Sequence, residues 1–117
     1  MLDGHAISRR SANDAGIVLD MGKLHQIEIL DHDRDGIGLG RGARWAHVAR
    51  ALGPSALAMS SGDYGDVGVG GRITAGGIGF LVGKYGLTID HVVAAELVLA
   101  DGKFIREGLG IPTEDLP

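Results

Sequence analysis

The sequence predicts an α+β fold, in which a mainly antiparallel sheet carries one or two packed helices. Short β-rich segments occur in two pairs along the chain. Each pair is connected through an Asp-Gly dipeptide, which favours the tight turn of a β-hairpin. Between the two pairs lies one segment whose apolar residues have helical spacing. Hairpins with an intervening helix are typical of the α+β class.

The first half of the chain is predicted to contain a strand, a helical turn and a hairpin. The hairpin is predicted because DHDRDG, which ends in Asp35-Gly36, separates two short apolar segments. In chain order, these elements are a strand at 16–20, a turn of helix at Lys23-Leu24, and strands at 27–30 and 37–40.

Residues 43–52 have the clearest helical pattern of the chain. Trp45, Val48, Ala49 and Leu52 stand at i, i+3, i+4 and i+7, which places them on one apolar face. The Gly-Pro pair that follows is a typical helix end. We therefore expect this helix to contribute its apolar face to the core.

The second half is predicted to end in another hairpin. Residues 92–100 (VVAAELVLA) form the strongest strand pattern, and Asp101-Gly102 turns the chain into a return strand at 103–106. The remaining predictions are a short buried strand at 56–59, a short helix within 70–77 and an irregular tail from about 108 to 117. The whole of 1–117 is predicted to be a single domain.

Composition excludes several classes of function. The chain has no cysteine, which rules out disulfides, thiolate metal sites and cysteinyl cofactor links. Its net charge is −4 with scattered Lys and Arg, so no nucleic-acid-binding face is expected. No apolar stretch approaches the roughly 18 residues of a membrane span. We expect a cytoplasmic protein with no membrane or nucleic-acid partner, and no metal site, because the five histidines lack metal-ligand spacing.

Two motifs suggest other ligands. Asp31, Asp33, Asp35 and Gly36 match the start of a calcium loop, but its twelfth position is Gly42 where a bidentate Glu is needed, which favours a solvated turn. Residues 38–43 satisfy the G-x-G-x-x-A pattern of nicotinamide dinucleotide-binding proteins, and Asp63 follows about 20 residues later. This alternative is weakened because the preceding strand follows a hairpin turn and the chain is short for a doubly wound fold.

The most informative feature of the sequence is a glycine run. Ten glycines fall in the 25 residues 62–86, interleaved with large apolar residues that flexible linkers lack. Glycine lets a backbone approach a ligand closely, and clusters of backbone N–H groups bind anions such as phosphate. The same glycines could instead serve tight turns and close packing between helix and sheet. Composition leaves these two interpretations open.

The order of residues in this run resembles a known family. The segments VGVGGRITAGGIG (67–79), KYGLTIDHVV (84–93) and ADG (100–102) are similar to the FAD-linked oxidases, specifically the FAD-binding domain of vanillyl-alcohol oxidase-type and berberine-bridge-type enzymes. Upstream, Gly4-His5 resembles the end of the family's R-G-G-G-H motif. The resemblance covers residues 3 to about 107 and implies the second half of a PCMH-type FAD-binding domain.

The resemblance implies FAD as cofactor and assigns roles by position. His5 falls where some members attach the flavin covalently, while Tyr64 replaces the cysteine of members that have a second link. Arg72 stands where the family usually has histidine. The implied cofactor-binding residues are Gly4, His5, Gly62, Tyr64, Val67, Gly68, Gly71, Arg72, Gly76, Gly77, Gly79 and Val93; no catalytic residue is implied.

The function implied by the resemblance is that of the FAD-binding portion of an oxidoreductase that oxidises an alcohol, an amine or a sugar. Since the family's first βαβ piece and substrate domain have no counterpart in this sequence, the chain is expected to be catalytically incomplete. A homodimer or a complementing polypeptide would then be its partner. The alternatives are a remnant of the same fold that binds no flavin and acts through an interface, and the nicotinamide dinucleotide binder.

Overall fold

A computed structural model describes residues 13–30 and 36–108, and it confirms the α+β class. Within this part of the chain, the antiparallel pairing is divided between two separate two-stranded sheets. The first sheet contains β1 (Ile27–Ile29) and β2 (Ile37–Leu39), and the second contains β3 (Ala94–Val98) and β4 (Phe104–Gly108). The helices α1 (Trp45–Leu52), α2 (Val69–Thr74) and α3 (Val82–Tyr85) lie between them in the chain.

The first hairpin forms where the sequence predicts it, with each strand one residue shorter. Ile27 pairs with Leu39 and Ile29 with Ile37, and the Leu30 N–H donates to the Gly36 carbonyl at 2.9 Å. The predicted helical turn before it is a 3-10 turn at Met21–Lys23. That turn begins with the Gly22 N–H donated to the Asp20 carboxylate at 2.8 Å, which lowers the pKa of Asp20.

Helix α1 supplies most of the core, as its apolar spacing predicts. Trp45, Val48 and Leu52 are buried, whereas Ala49, on the edge of the predicted apolar face, is exposed. The helix begins two residues later than predicted, because Arg44 has extended backbone (φ −116°, ψ 151°). Ala43 and Val69 complete the buried cluster, and partly buried side chains around it come from both strands of the first hairpin and from the glycine run.

Two predicted strands are wrong. Residues 16–20 form no ladder with any described residue, and Ile17 and Leu19 are 88% and 80% exposed. Residues 56–59 are not a buried strand either: the 3-10 turn at Gly53–Ser55 ends in Ala56 with a left-handed backbone (φ 54°), and Leu57 is 46% exposed. In both cases a short apolar run has the composition of a strand but finds no partner strand in the described part of the chain.

The glycine run contains more helix than the sequence predicts. Helix α2 falls where a short helix is expected, and it ends before Gly76 and Gly77, whose φ values of +98° and +81° suit glycine. Helix α3 and a 3-10 turn at Thr88–His91 are not predicted, because they are only four residues long and too short for a periodic pattern.

The second hairpin has the predicted turn and a longer return strand. Gly102 has φ +82°, and the Leu99 N–H donates to the Lys103 carbonyl at 2.9 Å. The return strand β4 continues to Gly108, so the predicted irregular tail overlaps the strand by one residue; 109–117 lie outside the described residues. None of the helices in the described part of the chain is long and apolar enough to cross a membrane.

Candidate functional site

The glycine run is anchored on the start of α1 through backbone hydrogen bonds. The Trp45 N–H donates to the Val67 carbonyl at 3.2 Å, and the Ala46 N–H donates to the Gly65 carbonyl at 2.8 Å. In return, the Val69 N–H donates to the Ala43 carbonyl at 2.9 Å. The run is therefore an ordered loop that leads directly into α2, as its interleaved apolar residues predict.

At six of its glycines the chain's own atoms fill the space that a side chain would need, namely Gly62, Gly65, Gly70, Gly77, Gly79 and Gly86. A Cβ at Gly62 would lie 2.6 Å from Trp45 Cδ1, and a Cβ at Gly77 would lie 2.5 Å from Thr88 Oγ1. Such distances leave no room for a side chain. Gly70 and Gly79 are filled in the same way, by Arg41 and by the Ser61 backbone respectively. These glycines serve close packing, which is the second of the two interpretations that composition leaves open.

Three glycines of the run have the opposite environment: Gly68 and Gly71 at α2, and Gly83 within α3. A Cβ at Gly68 or at Gly71 would meet no atom within 4 Å, although both residues belong to the ordered start of α2. Neither backbone has a positive φ, so neither position requires glycine for its conformation. They are three residues apart and therefore lie on one face of the helix. We call Gly68 and Gly71 the open glycine face.

Trp45, Asp63 and Arg72 meet around Gly62, and Arg72 joins this part of the loop to α2. The Arg72 Nη1 is 3.4 Å from the Asp63 Oδ1. Trp45 Nε1 and Arg72 Nε are buried and have no hydrogen-bond partner. The sequence predicts Trp45 only as a core residue and carries no signal for its contact with Gly62.

A second set of contacts fixes the end of the glycine run. The Gly77 carbonyl accepts from the Thr88 N–H at 2.9 Å and from the Thr88 Oγ1 at 3.0 Å, and the Gly76 carbonyl accepts from the Ile89 N–H at 2.9 Å. Ser60 Oγ donates to the Gly86 carbonyl at 3.1 Å. Thr88 and Ser60, both buried, hold the run at two points, and neither is singled out by the sequence.

The cofactor-binding residues that the resemblance implies therefore divide into groups. Gly68, Gly71 and Arg72 belong to α2 or its first turn, and the Arg72 side chain reaches Gly62. Gly79 packs on the Ser61 backbone next to Gly62, and Val67 is half-buried against the core. Tyr64 is 64% exposed, and Val93 is 53% exposed just before β3. Gly76 and Gly77 are tied to the 3-10 turn that precedes Val93. Gly4 and His5 lie outside the described residues.

The G-x-G-x-x-A motif does not form a nicotinamide dinucleotide site. Its strand, β2, is antiparallel to β1, whereas the dinucleotide motif needs the parallel strand of a βαβ unit. The Gly40 N–H donates to the Gln26 carbonyl at 2.8 Å and the Gly42 N–H to the Leu24 carbonyl at 2.6 Å. The N–H groups that would face a pyrophosphate are thus already used, and the backbone of Met21 and Leu24 fills the space beside both glycines.

No metal centre is found among residues 13–30 and 36–108, where no three His, Asp or Glu side chains come together as ligands. The aspartates of the calcium-like motif, Asp31, Asp33 and Asp35, lie outside these ranges.

The cavity found among the described residues is too small to enclose a ligand of the size of FAD. A small open cavity of about 160 Å³ lies between α1 and residues 57–61, lined largely by apolar side chains such as Val48, Leu52 and Met59. A site that encloses a drug-sized ligand needs roughly 300–1,000 Å³. At the open glycine face, by contrast, no protein atom lies within 4 Å of a Cβ position, so a ligand can reach the backbone there.

Comparison with known proteins agrees with the resemblance. A family model described as FAD binding domain matches residues 3–108. The FAD-dependent monooxygenase drtC of Aspergillus calidoustus is 39% identical over 92 residues, which cover 79% of this chain and 17% of that protein.

Solved structures show the same relationship in three dimensions. 6-Hydroxy-D-nicotine oxidase from Arthrobacter nicotinovorans superposes with a TM-score of 0.76 at 35% identity, covering 84% of this chain and 21% of that one. Glucooligosaccharide oxidase from Acremonium strictum, described with a 6-S-cysteinyl, 8α-N1-histidyl FAD, superposes with a TM-score of 0.71 at 30% identity, covering 78% of this chain and 19% of that one. The chain thus spans about a fifth of the length of these relatives.

Proposed function

Because the chain belongs to the FAD binding domain family, we propose that it forms one wall of the FAD site of a flavin-dependent oxidoreductase. FAD is the cofactor that gives this family its name, and residues 3–108 of the chain match the family model. The open glycine face is the observation that carries the proposal for this chain. At Gly68 and Gly71, both of which the resemblance assigns to the cofactor, a ligand can contact the backbone without displacing any protein atom.

The packed glycines support the same assignment indirectly. Gly62 and Gly79 let the loop lie against Trp45 and Ser61, and this packing keeps the start of α2 in a fixed place. A rigid wall reduces the entropy that ligand binding must overcome. In this proposal, Val67, Gly68 and Gly71 lie along the cofactor, while Gly62, Gly77 and Gly79 act through packing.

The reaction we propose is the oxidation of an alcohol, an amine or a sugar. The names of the solved relatives, an oxidase of 6-hydroxy-D-nicotine and one of glucooligosaccharides, support this class. Bound FAD supplies the electron acceptor, and the protein contributes placement and electrostatics. The residues of this chain would hold and orient the cofactor and exclude water from one of its faces.

A titration of the purified protein with FAD tests the proposal. Trp45 is the single tryptophan, and it is buried beside the loop. Because flavin absorbs where tryptophan emits, bound FAD should quench Trp45 fluorescence to saturation, whereas NAD should not. If FAD gives neither saturable quenching nor a rise in melting temperature, the chain does not bind flavin, and the interface-only alternative replaces the proposal.

We further propose that His5 forms a single covalent link to the flavin. Since the chain has no cysteine, the doubly linked flavin of glucooligosaccharide oxidase cannot form here. Flavin absorbance should therefore remain with the protein after acid precipitation, and His5→Ala should release all of it to the supernatant. Because His5→Ala can bind FAD only reversibly, all FAD titrations are made in that background. His47→Ala, which changes an exposed histidine on α1, is the matched control. Flavin that stays with the precipitated His5→Ala protein would show that the link lies elsewhere.

A further inference from the structure

Arg72 belongs to α2, but its side chain reaches across to the loop. Its guanidinium Nη1 lies 3.4 Å from the Asp63 carboxylate. Its Cδ would be 3.1 Å from a Cβ at Gly62, so its aliphatic stem covers that glycine. Trp45 and Arg72 both lie within about 3 Å of the Cβ position of Gly62. The Arg72 side chain thus connects α2, which carries the open glycine face, to the loop residues Gly62 and Asp63.

This arrangement contributes little to stability. The Asp63 side chain is 57% exposed, so solvent screens the ion pair, and pairs of this kind are worth little. The Arg72 Nε is buried without a partner, which carries a desolvation penalty. An unbranched apolar side chain at position 72 would keep the contact with Gly62 and remove this desolvation penalty. An arginine that is unfavourable for folding indicates a role other than folding.

We infer that Arg72 is a positioning residue for the proposed FAD site. It holds the Gly62-Asp63 segment against α2, and this contact fixes the loop relative to the open glycine face. This inference rests on the proposed function. In this role Arg72 acts through Asp63 and Gly62 and does not contact FAD. The competing interpretation is that its charge binds an anionic group of FAD directly.

The two interpretations give opposite results for Asp63→Asn. If Arg72 binds an anion, neutralising Asp63 removes a competing negative charge and tightens FAD binding. If Arg72 positions the loop, Asp63→Asn releases one end of the connection and weakens FAD binding, as Arg72→Met does. Methionine is the informative replacement at position 72 because it retains an unbranched stem over Gly62 and lacks the ionic end.

The experiment measures FAD affinity, thermal stability and amide hydrogen exchange for the protein and its variants. We expect Arg72→Met and Asp63→Asn each to bind FAD about tenfold more weakly. The melting temperature of the FAD-free protein should be unchanged or higher in Arg72→Met, and amide exchange over residues 60–66 should be faster in both variants. Arg106→Met is the matched control, because Arg106 pairs with Glu96 at 3.5 Å on the second hairpin and should alter none of these quantities in the loop.

Three outcomes would overturn the inference. Unchanged FAD affinity and loop exchange in Arg72→Met would show that the side chain positions nothing. Tighter FAD binding by Asp63→Asn would assign Arg72 to direct contact with the cofactor. A fall in melting temperature that accounts for the whole loss of affinity would make its role purely structural. If the unmodified protein fails to bind FAD, the proposed function fails, while the exchange measurement still decides whether Arg72 holds the loop.

Discussion

Replacing Trp45 with alanine should lower the free energy of unfolding by about 3–5 kcal/mol, the range for a buried large aromatic residue. The indole is 2% exposed and lies in the cluster formed by Ala43, Val48, Leu52 and Val69. It also forms the surface on which Gly62 rests. A domain has a total stability of roughly 5–15 kcal/mol, so this loss is a large fraction of the whole.

Urea denaturation followed by circular dichroism measures this effect. Phe80→Ala is the matched control, because Phe80 is also a large aromatic residue but is 87% exposed. That change should alter stability by no more than about 0.5 kcal/mol. Equal stabilities of the two variants would contradict the placement of the core at the start of α1.

Replacing Gly79 with alanine should destabilise the protein by about 2–4 kcal/mol, because the new methyl group would overlap the backbone carbonyl of Ser61. A backbone atom cannot rotate away as a side chain can, so the loop or the start of α3 must move. The Gly79 carbonyl also accepts from the Val82 N–H at 3.1 Å, and that hydrogen bond would be strained by the same movement.

The control for Gly79 lies in the same region. Gly83 is inside α3, and a Cβ there would meet no atom within 4 Å. Gly83→Ala should leave stability unchanged or raise it by about 0.5–1 kcal/mol, since alanine favours helix over glycine. A calorimetric scan in which Gly79→Ala melts at the same temperature as Gly83→Ala would contradict the close contact between residues 61 and 79.

Periodicity and turn chemistry predict most of the regular structure. Helix α1 follows from the spacing of Trp45, Val48 and Leu52, and both hairpins follow from their Asp-Gly turns. These signals are local, and local signals are what a single sequence carries. The strand predictions for 16–20 and 56–59 are wrong because a short apolar segment becomes a strand only where a partner strand is available. The segment itself does not specify that partner.

The sequence predicts where the candidate site lies. It does not predict which of its glycines pack against the protein and which are open to a ligand. The sequence singles out the glycine run, but Gly79 and Gly71 are identical letters, and only the structure shows that Ser61 fills the space beside one and that the other is open. Arg72 and Asp63 are nine positions apart, and the segment between them is irregular up to the start of α2, so no periodicity relates the two residues. Thr88 is missed because a buried threonine bonded to a glycine carbonyl has no sequence signature.

The open glycine face is assigned to FAD, and one pair of variants tests that assignment most directly. Gly71→Ala and Gly83→Ala both add a methyl group to a helical glycine with open space around it. In FAD titrations monitored through Trp45 fluorescence, Gly71→Ala should bind FAD about tenfold to a hundredfold more weakly, because the methyl group separates cofactor from backbone. Gly83→Ala should bind FAD as the unmodified protein does. Equal affinities for FAD in the two variants would contradict the assignment of this face to the cofactor.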